Sequence, residues 1–479
     1  MKIAFLQNFW YEYLGIMSIA ATVKQKGHRV RVFINGWEKN LLTSVTDFNP
    51  DVIAFPIYTG SQDWVLKTAL FFKKKLGKLI VVGGPHATFF PQIIKEKGID
   101  IVCRGEGEYP MLELLEALKN NKNFEKIPNL WVKKGKKVIK NPIRQLLDPL
   151  DNLPLLDRGI YYRYSILAKN PVKNFNVGRG CPYRCSFCHN SGLLKIYHNK
   201  GVYVRYHRPG RIIKEIFKVK RKYPLKLVSF IDDTFIVNKR WLLLFLSLYK
   251  EKVGLPFTCN VRGDLLDEEL TQNLAEAGCA SVFMGVETGD EERRFKILKK
   301  AITNEKIRVA AGLLHKYNLR LAANNMVGLP GESLSDGIQT AKFNAEIKTN
   351  LPWCAIFQPY PGTELARYCL LKGYVSQKDF RQIGASFLRR SVLKNKDIDE
   401  LVNLQKLFHL AVWFPYLMPL IKILIKLPLT HLYDFVFLIN QGLTYMRFFR
   451  LKPIDFIPHA WYFAQFYLFY RDNRNSDWA

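Results

Sequence analysis

Gly178-Arg179-Gly180-Cys181-Pro182-Tyr183-Arg184-Cys185-Ser186-Phe187-Cys188-His189 decides how the rest of the chain is read. Three cysteines fall within eight residues in the spacing CxxxCxxC, and an aromatic residue precedes the last of them. Thiolate sulfur is the soft donor that holds iron–sulfur clusters or zinc. Three thiolates leave one iron of a four-iron cluster without a protein ligand, and an open metal position can take a substrate or cofactor. Gly178, Gly180 and Pro182 favour a tight loop able to wrap round such a group. The competing reading is a closed zinc knot with His189 as fourth ligand.

Working outward toward the C-terminus, strand-like and helix-like segments alternate to about residue 375. Leu227–Ile231, Phe257–Asn260, Ser281–Val286, Leu321–Val327 and Trp353–Gln358 read as strands. With the strand leading into Cys181 they predict six βα units, starting near Val172. Polar residues gather where these strands end, which is where parallel barrels do their chemistry. Asp232-Asp233-Thr234 follows the second strand, Asn260 and Arg262 the third, and Glu287-Thr288-Gly289 the fourth. Val327-Gly328-Leu329-Pro330-Gly331-Glu332 follows the fifth and Gln358-Pro-Tyr360 the sixth.

The cysteine loop and these strand ends together resemble the radical SAM enzymes. The resemblance implies a partial (β/α)6 barrel, with Cys181, Cys185 and Cys188 holding a [4Fe-4S] cluster. Its open iron would bind the amino and carboxylate groups of S-adenosylmethionine, and an electron from it would cleave that molecule to a 5′-deoxyadenosyl radical. Phe187, Asp232, Asp233, Arg262, Glu287, Gly328 and Pro330 become the expected contacts to S-adenosylmethionine. Carboxylates suit its ammonium or hydroxyl groups, Arg262 suits its carboxylate, and the backbone at Gly328 and Pro330 suits adenine. No catalytic side chain is singled out.

Working outward toward the N-terminus, Ile3–Leu6, Val30–Ile34, Val52–Ile57, Leu79–Val82 and Ile99–Cys103 are short apolar runs separated by amphipathic stretches. Continuous apolar strands alternating with helices predict a doubly wound parallel sheet, with ligands at the carboxyl ends of its strands. Those ends carry Tyr11, Thr59-Gly60-Ser61, Gly83-Gly84-Pro85-His86 and Gly105-Glu106-Gly107-Glu108. The run "GGPHATFFP … IDIVCRGEGEYPMLELLEAL" resembles the cobalamin-binding domain that precedes many radical SAM barrels. That implies cobalamin contacts from Tyr11, Thr59, Gly60, Ser61, Gly83, Gly84, Pro85, His86, Gly105, Glu106 and Glu108. The first-strand loop Gln7–Gly15 departs from the DxHxxG fingerprint of methionine-synthase-type domains and has no histidine. Cobalamin would then bind without a protein imidazole below cobalt, and His86 is expected to serve local structure instead. An empty flavodoxin-like fold is the plainer alternative.

The expected organisation is a Rossmann-like cobalamin-binding domain over 1–140, a linker over 141–171, a barrel over 172–375 and a helical region over 376–479. Residues 128–140 read as a β-hairpin turning at Gly135, and Pro142, Pro149 and Pro154 mark the linker. In the last region, Pro415, Pro419, Lys422 and Lys426 interrupt an apolar stretch, so a helical cap on the barrel is expected over a membrane span. Leu417–Leu427 also suits an interfacial helix on a membrane surface.

The chain has 479 residues, 48% of them hydrophobic, which excludes a disordered protein. Eight cysteines, three clustered and five scattered, do not make a secreted disulfide framework, and MKIAFLQNFW has no signal-peptide pattern. A reducing cytoplasm is the expectation, with membrane association as an extension of it. The balance of 72 Lys+Arg against 41 Asp+Glu leaves +31, spread in short runs. It points to an acidic or lipid-like small-molecule substrate or an anionic membrane surface. A tRNA methylthiotransferase would account for the charge, but needs a second cluster, and only Cys103 precedes Cys181. Nucleic acid is therefore not expected as partner. A cobalamin sensor would not need the open cluster iron. The reading is a cobalamin-dependent radical SAM enzyme that methylates an unactivated carbon and draws electrons from a flavodoxin or ferredoxin. A ring-closing enzyme of the magnesium-protoporphyrin ester cyclase type is the runner-up.

Overall fold

The computed structural model describes residues 1–384, 388 and 390–449. The chain forms two compact units. The first comprises 1–170 and 192–205, and the second 171–191 with the described residues from 206 onward.

The first unit is built on a seven-stranded sheet. Its strands are β1 (Lys2–Gln7), β2 (Arg29–Ile34), β3 (Val52–Pro56), β4 (Leu79–Gly83), β5 (Ile101–Cys103), β6 (Leu130–Lys134) and β7 (Lys137–Lys140). They lie in the order β2-β1-β3-β4-β5-β6-β7. The first five are parallel, as their unbroken apolar runs require, because helices cover both faces. These helices include α1 (Leu14–Lys24), α2 (Leu41–Phe48), α3 (Gln62–Leu76), α4 (Pro85–Phe89) and α5 (Glu108–Lys119). Strand β5 starts two residues later than expected. Asp100 is turned sideways, accepting the Ile80 N–H at 2.8 Å and pairing with Lys73 at 2.8 Å. Lys73, Lys74 and Lys75 form the last turn of α3, where cations complement the helix dipole. The hairpin turns at Gly135, whose φ of 58° suits glycine. It also extends the sheet, since β6 pairs antiparallel with β5.

Residues 141–170 are bound into the first unit. Asn141 Nδ2 donates to the Glu125 and Leu130 carbonyls, and Arg144 Nη2 reaches Glu113 at 2.8 Å. Ile143 and Leu146 are buried with Tyr197 in one apolar cluster.

The second unit holds six parallel strands: Val172–Phe175, Leu227–Phe230, Phe257–Val261, Cys279–Glu287, Arg320–Val327 and Leu351–Ile356. They follow sequence order across the sheet and stay open, with the first and sixth at the edges. The last strand lies two residues before the expected Trp353–Gln358 and admits Pro352, at its second position on an edge strand. Helix Ile398–Trp413 packs through Leu401, Leu404 and Phe408 against a cluster that includes Val327, Ile338 and Cys354 of the barrel. A Cβ on Gly337 would stand 2.7 Å from Leu401, so this approach needs glycine. The expected helical cap is thus present as far as the described residues go. Residues 450–479 of that expectation lie outside them.

Candidate active site

The cysteine loop leaves the first barrel strand and is fixed at both ends. Asp232, past the second strand, accepts the Val177 N–H with both oxygens at 3.0 Å and the Gly178 N–H at 2.8 Å. Gly180 follows with φ 91°, a conformation L side chains rarely take. Farther along, Ser186 donates its N–H to Leu298 O at 2.9 Å and its hydroxyl to Ile297 O at 2.6 Å. Cys181 and Cys185 are buried and Cys188 is half-buried, all three as free thiols.

Polar groups from two other strand ends and from the helix that follows the loop reach these sulfurs. Cys181 Sγ lies 3.6 Å from the Thr234 hydroxyl. Asn190 Nδ2 donates to Cys188 Sγ at 3.8 Å, and Arg262 Nη1 to Cys185 Sγ at 3.9 Å. Arg262 is held from two other sides. Asp264 accepts from Nε and Nη2 at 3.0 Å each, and the Tyr183 ring lies under the guanidinium at 3.6 Å. Burial pushes the Cys185 thiol up, Lys300 and Arg262 pull it down, and Glu287 and Cys181 push it up again. Lys300, Arg262 and Glu287 therefore all act electrostatically on one cysteine.

The donor set fits a cluster: soft sulfurs on one loop, with cations positioned against the negative charge that thiolate-bound iron carries. Among the described residues no group of three His, Cys, Asp or Glu stands as the ligands of a single metal ion would. His189, the fourth ligand of the zinc reading, is exposed.

The other expected contacts divide into two kinds. Asp232, expected to meet an ammonium group, has its carboxyl bound to the loop backbone. Burial pushes it up to about 7, against the two N–H groups that favour its charge. Asp233 is exposed beside it. Glu287 sits at φ 69° where the fourth strand slips register, and pairs with Lys300 Nζ at 2.7 Å. Fully buried Arg294 fixes that turn, donating to Val286 O at 2.9 Å, to Ile302 O at 3.0 Å and to Thr288 O. Gly328 has φ 75°, and the Pro330 carbonyl accepts from Arg293 at 2.9 Å. Phe187 packs against an apolar cluster containing Leu329, Phe357 and Leu365. Tyr183, Asp264, Arg294 and Lys300 were not anticipated. A CxxxCxxC loop with Tyr inside it, and an Arg-x-Asp at a strand end, are the only signals that could have raised the first two.

In the first unit, the expected residues gather at the carboxyl ends of β1, β3, β4 and β5. Tyr11 is exposed, with its hydroxyl 3.0 Å from that of Tyr13. Thr59 Oγ1 meets His86 Nδ1 at 2.9 Å, and burial lowers the His86 pKa to about 4, so the ring is neutral. The partner of that ring is a hydroxyl side chain. Gly60 turns at φ 105°, and Ser61 Oγ closes the turn by accepting the Tyr58 N–H at 3.2 Å. Gly83 ends β4. Gly84 has φ 104°, and a Cβ there would stand 2.9 Å from Ile57 O; Pro85 opens α4. Gly105 has no room for a side chain beside the Tyr197 hydroxyl.

The two carboxylates are engaged inside the unit. Glu106 pairs with Arg205 at 2.7 Å, and Glu108 accepts the Ser18 hydroxyl at 2.6 Å. A cavity of about 320 Å³ opens beside both, with Arg144 and Leu147 in its wall.

Two family models match the chain: the B12 binding domain over residues 9–115 and the radical SAM superfamily over residues 175–343. An uncharacterized methyltransferase of Pyrococcus horikoshii is 28% identical over 77% of this chain and 81% of its own length. The anaerobic magnesium-protoporphyrin IX monomethyl ester cyclase of Rubrivivax gelatinosus is 26% identical over 74% of this chain and 65% of its own length. Among solved structures, the radical S-adenosylmethionine methyltransferase TsrM from Kitasatospora setae, with cobalamin and a [4Fe-4S] cluster bound, superposes with a TM-score of 0.65. It is 15% identical and covers 77% of this chain and 75% of its own, a likeness of fold. The three-thiol loop at the head of the open six-stranded parallel barrel thus lies in a radical SAM domain, and the parallel sheet that precedes it in the chain lies in a B12 binding domain.

Proposed function

We propose that this enzyme methylates an unactivated carbon of a small-molecule substrate, using a [4Fe-4S] cluster, S-adenosylmethionine and cobalamin. The observation that carries the reading is the cysteine loop, with Arg262 and Thr234 brought onto its sulfurs from other strand ends. When bound, the cluster and S-adenosylmethionine supply a hydrogen-abstracting adenosyl radical, and cobalamin supplies the methyl group. Cys181, Cys185 and Cys188 would hold the cluster. Asp233, Glu287, Gly328, Pro330 and Phe187 remain the groups we assign to S-adenosylmethionine. Asp232 acts through the loop it ties down. Arg262, with three of its faces engaged, places a fixed cation beside Cys185. The strand-end residues from Tyr11 to Glu108 would line the cobalamin crevice, with His86 held by Thr59 and no imidazole offered to cobalt. The electron comes from a reduced flavodoxin or ferredoxin in a reducing compartment, and the C-terminal helices bring the enzyme to a membrane surface.

Product analysis tests this. With substrate, S-adenosylmethionine, reductant and cobalamin, the anaerobically reconstituted enzyme should form 5′-deoxyadenosine, a methylated product and S-adenosylhomocysteine, and a Cys188→Ala variant should form none of them. The likeness to the ester cyclase favours one other outcome. A cyclised or dehydrogenated product with 5′-deoxyadenosine and no S-adenosylhomocysteine would reject methyl transfer in favour of ring closure.

A further inference from the structure

The last described helix, Thr430–Phe448, is apolar on two faces. Tyr433, Phe437, Thr444 and Phe448 point inward and are buried. Leu432, Phe435, Ile439 and Leu443 recur at i, i+3, i+7 and i+11, which at 3.6 residues per turn confines them to an arc of about 80°. They are 53%, 60%, 45% and 42% exposed. Helix Met418–Leu424 repeats the arrangement, with Met418 and Ile421 buried while Leu420 and Ile423 are 51% and 62% exposed. Leu427 and Leu429, each 41% exposed, continue the bare stripe from one helix to the next. Isolated exposed leucines are ordinary on a protein surface, but a stripe shared by two adjoining helices marks an interaction site.

Charge identifies the partner. Lys422, Lys426, His431 and Arg447 are exposed on these helices and the turn between them. Asp434 is the one acidic residue between 414 and 449, and it faces Lys406 Nζ at 3.4 Å. The stripe therefore has a basic fringe and no outward acid. Large apolar side chains beside lysines match the boundary between anionic headgroups and acyl chains. No described helix is long and apolar enough to cross a membrane, so the contact lies in the plane of the surface.

We propose that this face docks on the anionic surface of a phospholipid bilayer, with Ile423, Leu432, Phe435 and Ile439 entering the headgroup boundary and Lys422 and Lys426 meeting phosphates. This deepens the proposed function, on which it rests for its purpose: a bilayer-held enzyme takes an amphiphilic substrate. The docking needs no cofactor, so its test is separate from that of the chemistry.

Full-length protein without cofactors is floated with vesicles of phosphatidylcholine alone or mixed with phosphatidylglycerol. Wild type should float with the anionic vesicles, and rising salt should release it. Lys422→Glu/Lys426→Glu should weaken binding by roughly tenfold or more. Ile423→Ser/Phe435→Ser/Ile439→Ser should abolish it on the anionic vesicles. All substituted positions are exposed, and unchanged circular dichroism confirms that the variants fold. Wild type that stays unbound overturns the proposal. So does equal flotation of wild type and variants. A wild-type dimer that the serine variant dissociates, without vesicle binding, would assign the stripe to a second copy. Binding that appears only after removal of residues 450–479 would assign it to that segment.

Discussion

Asp232 holds the cysteine loop through three backbone hydrogen bonds that a neutral apolar side chain cannot make. Asp232→Ala should leave two buried N–H groups unpaired, at a cost of about 1–3 kcal/mol each. Iron retained per chain after anaerobic reconstitution should fall well below wild type, even though no iron ligand is changed. Iron content equal to wild type would show that the loop holds itself. The same carboxyl has a pH signature. Its pKa is raised to about 7 in the folded protein, so the stability it confers is full below the ordinary carboxylate value and is lost as pH rises through about 7. Between pH 6 and pH 8, thermal melts of the cluster-free wild type should decline more than those of Asp232→Asn.

At the scale of elements, the turn from β4 into α4 is the most constrained point of the first unit. Gly84 has φ 104° and ψ −172°, a region that only glycine enters freely, and Ile57 O leaves no room for a Cβ. Gly84→Ala should cost about 1–3 kcal/mol through backbone strain. It should lower both the melting temperature and the fraction of reconstituted protein that retains a corrinoid absorption band. A variant that melts and binds like wild type would mean the turn relaxes. The strands were legible because their apolar runs are unbroken, and the glycines because they follow those runs at fixed places. Partner choice was not legible. Asp232 reads as a free acid at a strand end, yet its partners lie 54 and 55 residues earlier. Glu106 and Glu108 read as ligands in a glycine loop, yet one is taken by Arg205 and the other by Ser18. Arg294 and Lys300 belong to no spacing pattern, and only the fold brings them to the fourth strand end.

Over the whole molecule, the two units share the chain in an interleaved way. Residues 192–205, which directly follow the cysteine loop, belong to the first unit. There the Tyr197 hydroxyl accepts the Glu106 N–H at 3.0 Å, and Arg205 closes on Glu106 while donating to Leu147 O at 2.6 Å. Arg205→Met should therefore destabilise the first unit by about 3 kcal/mol, because it strands a partly buried carboxylate. Hydrogen exchange should quicken at β5 and the start of α5 and stay unchanged at the fourth and fifth barrel strands. Uniform quickening, or none, would contradict this assignment. The interleaving also bears on how the protein is made. A ribosome that has released only residues 1–170 has delivered a sheet lacking the segment that completes its fifth strand end. That segment arrives only after Cys181, Cys185 and Cys188 have emerged. Completion of the nascent corrinoid-type unit is thus timed to follow the cluster ligands, and a translational pause between residues 188 and 205 would delay that completion after the ligands are already made.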